Sequence, residues 1–135
     1  MENPNKYIRK YFYDTLNGII VQGQTVKVYD SHTPNNDNFL IILSTQTGIE
    51  DWQSKCSIDK NRSINLDVIV RKSGNVGSRA MLDDIVEEIL LRCKNIEIEN
   101  FKAQYFNVTL QNDLSISTST ETIYRQIINF NFNIK

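Results

Sequence analysis

Apolar residues recur along this chain in two distinct rhythms. Over residues 4–18, Tyr7, Ile8, Tyr11, Phe12, Leu16 and the following Ile19 are spaced by one, three and four, the signature of an amphipathic helix. Pro4 suits the first turn of such a helix, and Gly18 is a stop signal. A second helix is predicted after residue 78, where Met81, Leu82, Ile85, Val86, Ile89, Leu90 and Cys93 repeat at three and four. Ser78 is placed to cap it, and Asp83 and Asp84 near its start and Arg92 and Lys94 near its end suit its dipole.

The other rhythm is alternation. Thr25 to Tyr29 reads as a short strand, with Val26 and Val28 on one side and Lys27 and Tyr29 on the other. Phe39 to Thr45 is almost continuously apolar, as expected for a strand covered on both faces. Ile64, Leu66, Val68 and Val70 alternate with Asn65, Asp67, Ile69 and Arg71. Two closing strands alternate through Phe106, Val108, Leu110 and through Ile128, Phe130, Phe132, Ile134, joined by a Ser/Thr-rich connection. Residues 46–62 are polar and fit either a long loop or the two arms of an irregular hairpin. The order α-β-β-β-α-β-β predicts an α+β fold. Its sheet would be mainly antiparallel, with about five strands and both amphipathic helices on one face.

Composition narrows this further. With 135 residues, 40% of them hydrophobic and 23% charged, the chain fits one domain over 1–135 with a core of useful size. A formal net charge of −1 provides no global positive field for nucleic acid. No apolar core of a signal peptide or membrane span is visible, so the chain is expected to stay where it is made. In a reducing compartment Cys56 and Cys93 are then expected as free thiols.

Candidate chemistry is sparse. The only histidine, His32, follows Asp30 and Ser31, which together supply the residue types of a hydrolase triad. Adjacent residues on an extended segment point to opposite sides, and no G-x-S-x-G elbow exposes a nucleophile, so a polar loop is the better reading. KSGNVGSR (Lys72 to Arg79) precedes a helix but lacks both the Lys-Ser/Thr ending of a phosphate loop and the three-glycine dinucleotide pattern. The carboxylate pairs Glu50–Asp51, Asp83–Asp84 and Glu87–Glu88 have no announced partners for a metal site, and two cysteines with one histidine make a poor zinc set. Lys6, Arg9, Lys10, Lys55, Lys60 and Arg62 lie near aromatic residues in sequence, but helix surface and loop charge account for them. No catalytic, cofactor-binding or metal-ligating residue is therefore assigned. A small hydrolase or nucleotide-binding enzyme using Asp30 and His32, and a nucleic-acid-binding module using Lys6, Arg9 and Lys10, stand as alternatives.

Taken in order, several segments resemble the tail-completion, or tail-terminator, proteins of tailed bacteriophages and the related neck and head–tail connector rings. They are VKVYD (Val26 to Asp30), TPNNDNFLIIL (Thr33 to Leu43), EDWQSKCS (Glu50 to Ser57), INLDVIVRK (Ile64 to Lys72) and SGNVGSRAMLDDIVEEIL (Ser73 to Leu90). The pattern departs from the family at Asn38-Phe39, where a Pro-Tyr pair is common, and in the Asn-rich final strand. The resemblance implies a structural, non-enzymatic virion protein without cofactors. It would assemble with copies of itself into a ring at the neck or tail end, between portal, connector and tail proteins. DNA would pass through the lumen without sequence recognition, and no membrane would be involved. Assembly would take place in the host bacterial cytoplasm. On that reading Trp52, Ile49, His32 and Asn36 are the expected subunit-interface residues. Trp52 has two open roles, plugging the edge of its own core or anchoring a neighbour.

Overall fold

A computed structural model describes residues 5–30, 38–51, 59–72, 79–99, 103–110, 116–117 and 122–134. Helix α1 (Asn5–Leu16) leads into two short strands, β1 (Ile19–Val21) and β2 (Gln24–Tyr29). Two long strands follow, β3 (Phe39–Asp51) and β4 (Asp59–Lys72), and then helix α2 (Arg79–Arg92). The chain closes with β5 (Ala103–Leu110), β6 (Ile116–Ser117) and β7 (Thr122–Ile134). The fold is α+β and mostly sheet, and none of the described helices is long and apolar enough to cross a membrane.

The strands lie in the order β1-β2-β3-β4-β7-β5, with β6 also paired to β7. This is seven strands rather than about five. One extra strand, β1, arises because Ile19 does not continue the α1 stripe. Gly18, at φ +81°, turns the chain out of the helix, and Ile19, Ile20 and Val21 pair back on Val26, Thr25 and Gln24. The turn between them has φ of +51° at Gln22 and +76° at Gly23, the left-handed pair that a two-residue hairpin demands. The other extra strand, β6, pairs only through Ile116 and Ser117. The sheet is mainly antiparallel, as expected; among the described pairings β2 and β3 alone run parallel, with Val28 opposite Ile41. The polar stretch after Thr45 resolves as hairpin arms, with Gln46 to Asp51 paired to Ile64 to Asp59.

Both helices cover the same face. Ile8, Phe12 and Leu16 from α1 and Met81, Leu82, Ile85, Val86 and Ile89 from α2 are buried in one cluster. They meet there the alternating sheet residues Ile41, Leu43, Ile64, Leu66, Val68, Val70, Ile128, Phe130 and Phe132. The opposite face holds a smaller cluster of Leu40, Ile42 and Ile69, flanked by Tyr29 and Ile123. That is why Phe39 to Leu43 is apolar at every position: its two sides serve two cores.

The β3 ladder slips between Leu43 and Gln46, and this bulge lies under α1. Arg9 reaches across from the helix and donates to the carbonyls of Leu43 (3.4 Å) and Ser44 (3.5 Å). It also pairs with Asp30 at 3.6 Å. Ser44 donates its hydroxyl to the Asn65 carbonyl at 3.1 Å. A bulge bends its strand and disrupts the local ladder, so side chains that satisfy the carbonyls beside it hold the bend in place.

Candidate functional site

Ile49 stands in β3, opposite Asn61 of β4. Trp52, His32 and Asn36 fall outside the described residues, as do Ser78, Cys56 and most of the KSGNVGSR turn. Asp30, the first member of the Asp-Ser-His run, is exposed at the end of β2 and engaged with Arg9. Among the described residues no three of His, Cys, Asp and Glu are grouped to hold a metal ion. The Asp83–Asp84 and Glu87–Glu88 pairs sit on α2. Asp84 accepts a hydrogen bond from the Gln22 side chain, and Glu88 accepts one from Arg92 at 2.7 Å. Asp84 thus tethers the helix to the β1–β2 turn, and Glu88 makes an ion pair within α2.

Two shallow depressions flank the helices. One, of about 340 Å³, lies between the β1–β2 turn and α2, where Ile20 and Leu91 are exposed beside Asp84, Glu87 and Glu88. The other, of about 170 Å³, lies between α1 and the segment after α2, with the Lys10–Glu99 ion pair (3.1 Å) on its rim. Beside it, Tyr11 donates its hydroxyl to the Asn95 carbonyl at 3.3 Å. Burial pushes the Tyr11 phenol up to about 12, with the neighbouring Cys93 adding to the shift. Burial likewise raises the Cys93 thiol to about 12, against a smaller lowering from the Tyr11 hydrogen bond. A thiol held in that state is protonated at neutral pH and chemically quiet.

The helix-free face is the most distinctive surface. At its centre Asp67 is 1% exposed, and Arg125 grips it with a fork: Nε lies 2.8 and 2.9 Å from the two carboxylate oxygens, and Nη2 lies 2.6 Å from Oδ2. Arg125 stands opposite Ile69 in the ladder, so the pair is diagonal across β4 and β7. That hydrogen bonding raises the Arg125 pKa above its ordinary value. Further along, amides form a chain. Asn131 donates to Asn129, and Asn129 donates to Asn65. Ser63 and Asn107 stand opposite Asn131 on its two neighbouring strands, and Thr109 stands opposite Asn129. The result is a half-exposed strip without charge, made of hydrogen-bonding side chains. Sequence reading noted the Asn-rich final strand but missed the strip. The available signal was the period of two in Asn129, Asn131 and Asn133, matched by Asn61 and Asn65 on another strand.

The long strands are the remaining feature. At about 3.3 Å per residue, 13-residue β3 and 14-residue β4 run on the order of 43–46 Å. At about 1.5 Å per residue, 12-residue α1 and 14-residue α2 reach only on the order of 18–21 Å. Each long strand is thus about twice the length of either helix. No protein-family model matches this chain, and no curated protein matches its sequence.

Proposed function

We propose that the chain is a structural subunit that assembles with copies of itself into a ring at the neck or head-proximal end of a bacteriophage tail. One observation supports this above the others. The described parts of the segments that resemble the tail-completion family fall, in order, on the main framework: VKVY on β2, FLIIL and Glu50–Asp51 on β3, INLDVIVRK on β4 and RAMLDDIVEEIL on α2. The long β3–β4 hairpin adds support, because long strands and the loop that joins them offer side chains to a neighbour. A ring follows when each subunit presents one patch to the next and a different patch to the one before, so that the contact closes. Its role would be geometric, with one ring face seated on the preceding part of the particle and the other receiving the next.

Native mass spectrometry and negative-stain microscopy of the purified chain test this. The expected result is a closed multiple of the 15.7 kDa subunit with a central opening. Trp52→Ala should lower the ring fraction more than the melting temperature of the subunit, if Trp52 anchors a neighbour. A chain that stays monomeric and is absent from purified tailed virions overturns the reading.

A further inference from the structure

The two ends of the sheet are finished differently. At the β1 end the outer strand has only three residues. Beside it the outward Val28 N–H is taken by Asn17 Oδ1 at 3.1 Å, and the Gly18 N–H donates to the Val26 carbonyl at 2.9 Å. That edge is short, and the part of β2 that β1 leaves uncovered has its Val28 N–H taken by the chain itself. At the other end β5 has eight residues, AQYFNVTL, with no charge and no proline. Among the described residues no strand lies outside it. A bulge between Gln104 and Asn107 distorts the first half, but Asn107, Val108, Thr109 and Leu110 form an unbroken ladder with Asn131, Phe130, Asn129 and Ile128. Sheet proteins ordinarily blunt such an edge with charge, proline or brevity. Here only the bulge is used.

The side chains sharpen this. Val108 and Leu110 stand opposite the core residues Phe130 and Ile128, so they occupy the helix-bearing side of the sheet. Yet Val108 is only half-buried, and Leu110 is 47% exposed. Among the described residues the core thus ends on an apolar step at the outer edge of β5.

We infer that the β5 edges of two copies of this chain pair antiparallel across a two-fold axis and continue the sheet from one copy into the other. An extended strand is what an unpaired strand edge recognises. The opposite edge has three residues, fewer than the four of the unbroken β5 ladder, so β5 matches its own copy best and the contact is isologous. The absence of charge removes the repulsion that a strand facing its own copy would otherwise meet. The hydrophobic pattern sets the register. Placing Val108 opposite Leu110 of the second copy merges the two apolar steps and puts Thr109 on the axis, facing Thr109 of the second copy on the amide-rich side. This contact is independent of the ring reading: it joins two subunits if there is no ring, and two rings face to face if there is.

Sedimentation velocity on the full chain tests it through charge at the axis. Thr109 is exposed, so Thr109→Lys and Thr109→Glu leave the core intact while setting like charges against each other. Each variant should sediment at half the wild-type mass, whether the wild-type particle is a dimer or a pair of rings. An equimolar mixture of the two should regain the wild-type mass, which misfolded variants could not do. Equal masses for wild type and Thr109→Lys overturn the proposal, and so does a mixture that stays at the lower mass. A dimer that Thr109→Lys splits into monomers, with no larger species, supports this contact while counting against the ring. A ring of unchanged mass in Thr109→Lys does the reverse.

Discussion

Asp67 shows how much one residue's meaning depends on a distant partner. In sequence it is the polar member of an alternating strand, which normally faces water. In the fold it is almost completely buried and ionically paired to Arg125, 58 residues further on. Nothing near Asp67 announces that partner, so the pair was not legible in the chain. Removing Arg125 alone leaves a buried, uncompensated carboxylate. Arg125→Met should therefore cost about 3–5 kcal/mol, whereas replacing both members with leucine should come within about 1–2 kcal/mol of wild type. Urea unfolding of the single and double variants measures both, and a double variant as unstable as the single one would sink this account. Tyr11 and Cys93 make a second residue-scale case. Both hold their protons more tightly in the folded chain than their ordinary values of 10.0 and 9.0 allow. Between about pH 9 and 12 the folded state consequently binds more protons than the unfolded one. The stability these groups contribute is fully present below pH 9 and falls as pH rises through that window. Thermal melts should show this decline. In Cys93→Ala its slope should be shallower, whatever the offset from lost packing. An unchanged slope would mean that the thiol does not titrate with unfolding.

At the scale of elements, local pattern was a good guide wherever a segment carried its own period. The buried positions of α2, and the alternation of Ile64 to Val70 and of Ile128 to Phe132, fall where the sequence puts them. Where the deciding interaction lies across the sheet, the sequence leaves the choice open, as over residues 46–62, which fit a long loop or two hairpin arms. Gln46 to Asp51 is polar and has no strand signal strong enough to separate it from loop; pairing with β4 makes it a strand. Ile19 fits the α1 stripe by spacing, but the Gly18 turn ends the helix first. The β1–β2 hairpin offers a clean test of turn chemistry. A Cβ added at Gly23 would meet nothing within 4 Å, so only its positive φ opposes a side chain there. Gly23→Ala should thus cost about 1–2 kcal/mol from backbone strain alone. Chemical denaturation reads this, and a neutral substitution would mean that the turn relaxes to another form.

For the whole molecule, the sequence indicated the two layers but not the order of strands. The last strand, β7, inserts between β4 and β5, and no local pattern encodes a pairing that joins residues about 60 positions apart. The expected interface residues fared similarly. Ile49 could be placed in a ladder, whereas the β5 edge, which carries no unusual residue, emerged only from its position at the end of the sheet. The same topology ties the beginning of the chain to its end. Phe12 of α1 and Phe130 of β7 are both fully buried, with ring centroids 5.1 Å apart and planes tilted by 53°. Phe12 also meets the Tyr11 ring edge-on at 5.1 Å. Truncating Phe12 to alanine should cost about 3–5 kcal/mol, since it removes a large, fully buried side chain from the core. Pairing it with Phe130→Ala should give a total smaller than the sum by about 0.5–1.5 kcal/mol, because the two rings share one contact. If the first helix and the last strand belong to one cooperative unit, Phe12→Ala lowers the amide-exchange protection of α1 and of the β4–β7 ladder by the same amount. If α1 loses protection while β4 and β7 keep theirs, α1 is instead a detachable cover, and the sheet is a folding unit without it.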